Sequence, residues 1–232
     1  MSSTAHGARA RARLEVTAAI KEAARSQLAA EGAAKLSLRA VARELGMASS
    51  AMYRYFPSRD DLLTALIIDA YDSLGDAVEA AHDVVVGTAP ARRWTAVCEG
   101  ARGWALGHPH EYALIYGSPV PGYSAPETTV PAAARVGFLL RDVLRDAQRD
   151  SALVKPPLPA GLRPEAERMA ADLAPDLPPE VVAAMVAAWA ELYGLIGFEV
   201  FGQFHRVVED RETFFRHAVG RLAHSVGLPA SA

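Results

Sequence analysis

A chain of 232 residues, 51% apolar and 22% charged, has the material for a sizeable buried core and is not the composition of a disordered or fibrous protein. The single cysteine, Cys98, excludes an internal disulfide framework and fits a reducing cytosol. The polar first residues lack a secretory signal, so a cytoplasmic protein is expected. The net charge of −3 hides an asymmetry: residues 1–60 carry 10 Lys and Arg against 5 Asp and Glu, whereas residues 61–232 carry 14 against 22. A basic head on an acidic body suits a nucleic-acid reader, because local positive charge displaces phosphate counterions.

Residues 1–13 are small and polar, with Arg9, Arg11 and Arg13 alternating with alanine. They are expected to form a flexible basic arm that lies along phosphates or reaches a minor groove. A helix follows from Leu14 to Glu31, with Ile20, Ala24 and Leu28 inward and Gly32 at its end. Leu38, Val41, Ala42 and Leu45 then repeat at i, i+3, i+4, i+7, behind Ser37 as N-cap and ahead of Gly46 as helix stop. Ser49 is expected to cap a second short helix holding Met52, Tyr53 and Phe56, which Pro57 ends. Helix, glycine turn, helix is the helix-turn-helix pattern, whose second helix enters the major groove of DNA.

Ser58 with Asp61 three residues on opens a long fourth helix that runs to about His82, its stripe carried by Leu62, Leu63, Leu66, Ile67, Ala70, Tyr71 and Leu74. Gly87 to Pro90 interrupts the pattern. A fifth helix follows, with Trp94, Val97, Cys98, Ala101, Trp104 and Ala105 on one face and Gly107 at its end. A short helix over Pro109 to Tyr116 leads into the turn-rich loop GSPVPGYSAPETTVP. Further helices are expected from about Ala132 to Arg149, over Glu165 to Leu173, from Pro178 to Phe204 and from Asp210 to about Val226. Strand-like alternation is absent, which predicts an all-α fold.

The run SLRAVARELGMASSAMYRYFPSRDDLL resembles the DNA-binding head of the TetR family of bacterial transcriptional regulators. The match lies in the small-residue turn, the Tyr-x-x-Phe of Tyr53 and Phe56, the following Pro-Ser-Arg, and the Leu-Leu that opens the fourth helix. The resemblance implies a three-helix head (14–57) joined by the long fourth helix to a helical-bundle sensor and dimerisation domain (58–227), with a disordered tail at 228–232. It also implies that Tyr53 and Tyr55 donate to phosphates, that Ser37 and Arg39 act at the start of the preceding helix, and that Arg59 anchors backbone. Ala48, Ser49, Ser50 and Met52 complete the candidate DNA-binding set, with Arg39 and Arg54 as the plausible guanine readers. Val41, Leu45, Met52 and Phe56 are expected in the core.

HPHEYALIYGSPVPGYSAP and WAELYGLIGFEVFGQF together resemble the C-terminal sensor of one TetR subgroup, named for a Trp-His-Gly signature. Trp189 and Gly194 match it, and Tyr193 stands in the histidine position. Trp104, Tyr112, Tyr116, Tyr123, Phe138, Trp189 and Tyr193 are the candidate lining of an effector pocket for a lipophilic or aromatic small molecule. The family implies a homodimer on double-stranded operator DNA, a repressor released when effector binds, with the fourth helix as lever.

The segment VVAAMVAAWAELYGLIGFEVFGQF is almost long enough to span a bilayer, but Glu191 in its middle costs about 3 kcal/mol on insertion scales. It reads as a dimer helix rather than a membrane span, with Met185, Gly194, Gly197, Phe201, Phe215 and Val219 as interface candidates. Two other readings are an architectural DNA-binding protein without a ligand, and a helical metal-binding enzyme using His108, His110 and Glu111, with His205 as a further donor. The chain has no P-loop, GxGxxG or GxSxG, so neither cofactor nor enzymatic activity is expected.

Overall fold

The computed structural model describes residues 2–229, and the side chains of 7–229. It is all-helical, with no strand among the described residues. Eleven helices follow in order: α1 Ser2–Glu31, α2 Leu38–Glu44, α3 Ser49–Met52, α4 Arg59–Asp83, α5 Pro90–Gly107, α6 Pro109–Tyr116, α7 Val130–Ala133, α8 Arg135–Arg149, α9 Arg163–Leu173, α10 Pro179–Val200 and α11 Arg211–Ser225. The chain divides into two compact units. One holds residues 1–70 with 110–130, and the other holds 71–109 with 131–232. The first unit thus includes the first half of α4, most of α6 and the following loop along with the head helices.

In the first unit, Ile20, Ala24 and Leu28 of α1 pack into a core with Leu38, Val41, Met52, Phe56, Leu62 and Leu66, all buried. Leu45 is only half-buried. Lys21 Nζ meets Asp69 Oδ1 at 2.7 Å, an ion pair between α1 and α4. Ser58 Oγ donates to Asp61 Oδ2 at 2.7 Å and accepts the Asp61 N–H at 3.1 Å, the reciprocal cap expected at the start of α4. Tyr123 and Thr64 share a hydroxyl hydrogen bond of 2.9 Å that ties the turn-rich loop to α4.

The N-terminal segment departs from expectation. Residues from Ser2 onward continue α1 as helix instead of forming a flexible arm. Alanine and arginine, which dominate residues 8–13, are among the strongest helix formers and favour the extension against the cost of Gly7. Arg13 also has partners in the head: its Nη2 donates to the Arg54 carbonyl at 3.3 Å, and its guanidinium lies 5.7 Å from the Tyr55 ring centroid.

The second unit is built around α5, whose Trp94, Val97, Cys98, Ala101 and Ala105 are fully buried and which packs on α8, α10 and α11. Burial, more than neighbouring Glu99, pushes the Cys98 thiol far up, so it is not a reactive thiolate. The α8 stripe of Val136, Leu140, Val143, Leu144 and Ala147 faces inward. Arg102 on α5 makes a bidentate pair with Glu199 on α10, both contacts 2.7 Å, with its guanidinium 5.2 Å from the Phe215 ring centroid. Arg135 at the start of α8 reaches Asp72, Asp76 and Glu79 on α4. The end of its guanidinium lies 2.5 Å from where a Cβ on residue 75 would sit, so a side chain there would displace the flexible tip of Arg135. Leu228 is buried and its N–H donates to Ala223 O at 3.0 Å, so order extends past the expected start of the tail. Residues 230–232 of that tail lie outside the described residues.

Candidate functional site

The head is shaped by short-range caps. Ser37 has extended backbone, and its hydroxyl accepts the Ala40 N–H at 3.4 Å, as the N-cap reading requires. Its own N–H donates to Gln27 Oε1 at 2.8 Å, which fixes the entry of α2 against α1. After α2 the chain turns through Gly46 at φ +64°, and the Met47 N–H donates back to Ala42 O at 2.8 Å. This closure satisfies the last carbonyls of α2 and needs a left-handed residue that glycine supplies without a Cβ clash.

The second helix is shorter than expected. Regular α-helix covers Ser49–Met52, and the chain continues to Phe56 in tight turns, with Tyr55 N–H donating to Met52 O at 2.9 Å. Its N-cap is Ala48, which has no side-chain cap bond, so Ser49 begins the helix rather than capping it. Ala48, Ser49 and Ser50 are exposed as a consequence. Tyr53 is 45% exposed, Arg54 is exposed and Tyr55 is half-buried. Met52 is 0% exposed and Phe56 7%, so these two pin the segment to the core. Met52 therefore cannot reach a base edge and leaves the candidate DNA-binding set.

Arg59 also changes role. Its Nη2 donates to Ala33 O at 2.9 Å and its Nε to Leu36 O at 3.2 Å, so the guanidinium satisfies the carbonyls of the α1–α2 link. Lys21 and Arg25 are engaged with Asp69 and Glu22. Among the described residues of the head, Lys35, Arg39, Arg43 and Arg54 make no ion pair, and all four are exposed. Lys35 and Arg43 were passed over by the motif reading; the excess of basic residues in 1–60 was their only signal.

The seven aromatic pocket candidates do not share one environment. Tyr112, Tyr116 and Tyr123 lie in the first unit, and Trp104, Phe138, Trp189 and Tyr193 in the second. Tyr112 is buried, and its phenol is pushed up by desolvation. Trp104 donates from Nε1 to Ser73 Oγ at 2.9 Å and stacks on His108 at 5.3 Å between ring centroids. Phe138 and Trp189 line one cleft of about 230 Å³ between α8, α9 and α10, and the other five are not among its lining residues.

The expected metal donors are dispersed too. His108 caps the end of α5, with Nδ1 2.9 Å from Trp104 O, and His110 lines a groove against the end of α1. Among the described residues, no group of three or more His, Cys, Asp or Glu is placed to hold a metal ion.

The groove between the outer sides of α10 and α11 is mainly apolar, with Glu191, Arg221 and Ser225 also in its lining. Gly194, Phe198, Phe204, Phe214 and Ala218 line it, with Phe204 5.6 Å from Phe198 and 5.5 Å from Phe214 between centroids. Gly194 and Phe201 are exposed and Gly197 half-buried, whereas Met185, Phe215 and Val219 are buried within their own domain and leave the interface set. α10 is long and apolar enough to cross a membrane, but Val181, Val182, Leu192 and Ile196 on it are fully packed inside the second unit.

A capped helix-turn-helix presenting serine, tyrosine and arginine, carried by an all-helical body, defines a DNA-binding regulator. Residues 20–66 match the family described as bacterial regulatory proteins, tetR family, and residues 94–222 match the tetracyclin repressor-like C-terminal domain. The HTH-type transcriptional regulator Rv1816 of Mycobacterium tuberculosis is 42% identical over 201 residues, 85% of this chain and 86% of that protein. The crystal structure of the regulatory protein SCO4313 superposes with a TM-score of 0.77 at 32% identity, covering 92% of this chain and 98% of the other. RolR, crystallised with the ligand resorcinol, shares the fold at a TM-score of 0.53 and 16% identity over 96% of this chain and 98% of that one. The chain belongs to the TetR family of transcriptional regulators, which are not enzymes.

Proposed function

We propose that the protein is a repressor that occupies a near-palindromic operator as a homodimer and is released by a small lipophilic or aromatic effector. The observation that carries the DNA-binding reading is segment 49–55, pinned by Met52 and Phe56 while Ser49, Ser50, Tyr53 and Arg54 remain outside the core. In this reading Tyr53 and Tyr55 donate to phosphate oxygens, and Lys35 and Arg43 add charge contacts to the backbone. Arg39 and Arg54 are the side chains suited to bidentate reading of guanine, supported by Ser37, Ala48, Ser49 and Ser50 at the groove. The helical N-terminus with exposed Arg9, one turn from Arg13, and exposed Arg11 extends the contact along the flanking phosphates.

The α10–α11 face with Gly194, Phe198 and Phe201 is the proposed homodimer interface. A two-fold axis there sets two heads about 34–36 Å apart, one turn of DNA. Trp189 and Gly194, at the positions of the Trp-His-Gly signature, support a sensor of that subgroup, with Tyr193 set edge-on to Trp189 at 5.8 Å. An effector releases the operator only if it binds the DNA-free arrangement more tightly than the bound one.

The test is fluorescence anisotropy on DNA from upstream of the protein's own gene, against a scrambled duplex, at physiological salt. A dissociation constant on the order of 10⁻⁸ M, well below that of the scrambled control, supports the regulator reading. Equal and strongly salt-dependent binding to both duplexes favours a non-specific architectural protein instead.

A further inference from the structure

We propose that the cleft between α8, α9 and α10 is the effector site and that it selects flat aromatic anions, carboxylates above all; this rests on the effector-responsive reading above. The cleft is built by absence and presence together. Ala133, Ala134 and Gly137 leave open space along α8, and Trp189 from α10 and Phe138 from α8 stand on its sides. Both aromatics remain unusually exposed for rings on apolar helix faces, 47% for Phe138 and 39% for Trp189. An intercalated planar ring would complete their burial.

The one ionisable side chain in the lining is Arg141. Its guanidinium lies 4.5 Å from the Phe138 ring centroid, and its Nε donates to Asp142 Oδ1 at 3.1 Å. The contact with the Phe138 ring and the hydrogen bond to Asp142 hold the guanidinium in the cleft wall, and its terminal N–H groups provide a fork suited to a carboxylate. Apolar walls with one oriented cation are the chemistry of an aromatic acid site.

A second subunit on the proposed dimer face does not cover this cleft. Phe198 follows Trp189 by nine residues on α10, two and a half helical turns, so the two rings lie on opposite sides of the helix. The dimer groove and the aromatic cleft thus use opposite faces of one helix.

The test uses two probes of equal shape, 2-naphthoate and its neutral amide, titrated against the full-length protein by quenching of tryptophan fluorescence. Naphthoate is expected to bind about tenfold or more tightly than the amide, the effect of a charge-assisted hydrogen bond. Arg141→Met should remove that preference. Gly137→Leu should abolish binding of both probes, since a Cβ at 137 meets nothing within 4 Å and leucine fills the opening while favouring the helix. Circular dichroism and sedimentation of each variant check that fold and dimer are kept. Equal affinity for the two probes, or naphthoate binding unaffected by Arg141→Met and Gly137→Leu, overturns the assignment. Naphthoate that binds as expected yet leaves operator affinity unchanged supports the site and counts against the release mechanism, which separates the two claims.

Discussion

The head and the sensor half are both helical and both held by arginines, yet they are specified over different distances. In the head, Ser37 caps α2 through Ala40, Gly46 closes it through Met47, and Ser58 caps α4 through Asp61. Each contact spans at most five residues. In the sensor half, Arg102 finds Glu199 97 residues away, and Arg135 finds Asp76 and Glu79 59 and 56 residues away. The caps of a recognition element can be written locally, whereas the contacts that dock its helices, such as Lys21 with Asp69, and those that join α5 to α10 arise only when distant segments meet.

That comparison can be broken most severely at the buried pair. Arg102→Met leaves the Glu199 carboxylate, with a side chain 6% exposed, without its bidentate partner, and should cost about 3–5 kcal/mol in urea unfolding. The double variant Arg102→Met with Glu199→Leu should recover most of it. Hydrogen exchange should show lost protection in α5, α10 and α11, with α2 and α3 little changed. Next is Met52→Ala, expected to cost about 2–5 kcal/mol from a fully buried site and to loosen α1–α3 first. Gly46→Val places a branched side chain at φ +64° and should cost about 1–2 kcal/mol, read as a lower urea midpoint.

Smaller effects sharpen the contrast. Tyr53→Ala should change stability by no more than about 0.5 kcal/mol, because the ring is largely outside the core, while weakening DNA affinity. Asp210 accepts the Thr213 N–H at 3.0 Å as N-cap of α11, and that hydrogen bond holds its carboxyl below the usual range. Its contribution is therefore complete above the ordinary aspartate pKa and fades as pH falls through the lowered one. Asp210→Asn should flatten the acid side of the pH–stability curve slightly and leave neutral pH almost unchanged.

Most of the helical order was legible in the sequence, because apolar spacing marks each buried face and glycine or proline marks most ends. Ser37, Gly46 and Ser58 acted where their chemistry predicted. Met52 carried two incompatible expectations, base contact and core, and burial decided for the core. Arg59 was legible as a cation and illegible as a partner of the carbonyls at 33 and 36, since that contact depends on how α4 meets the α1–α2 link. Residues 2–13 are helical although their polarity suggests an open arm, because alanine and arginine favour helix. For the aromatic set, ring content marks burial without saying which rings meet. Phe138 and Trp189 share a cleft, while Trp104 is satisfied by Ser73 and His108. The groove residues Phe198, Phe204 and Phe214 were not singled out although α10 was recognised, because its apolar surface leaves no polar face to orient it.

The most direct test of the central claim, that segment 49–55 reads DNA, is selection from a randomised duplex library with the wild-type protein and Tyr53→Ala in parallel. Wild type is expected to enrich a near-palindromic sequence with half-sites about one helical turn apart, and the variant to enrich it weakly or not at all. Equal enrichment by both proteins, or no enriched sequence with a folded wild-type dimer, would contradict it.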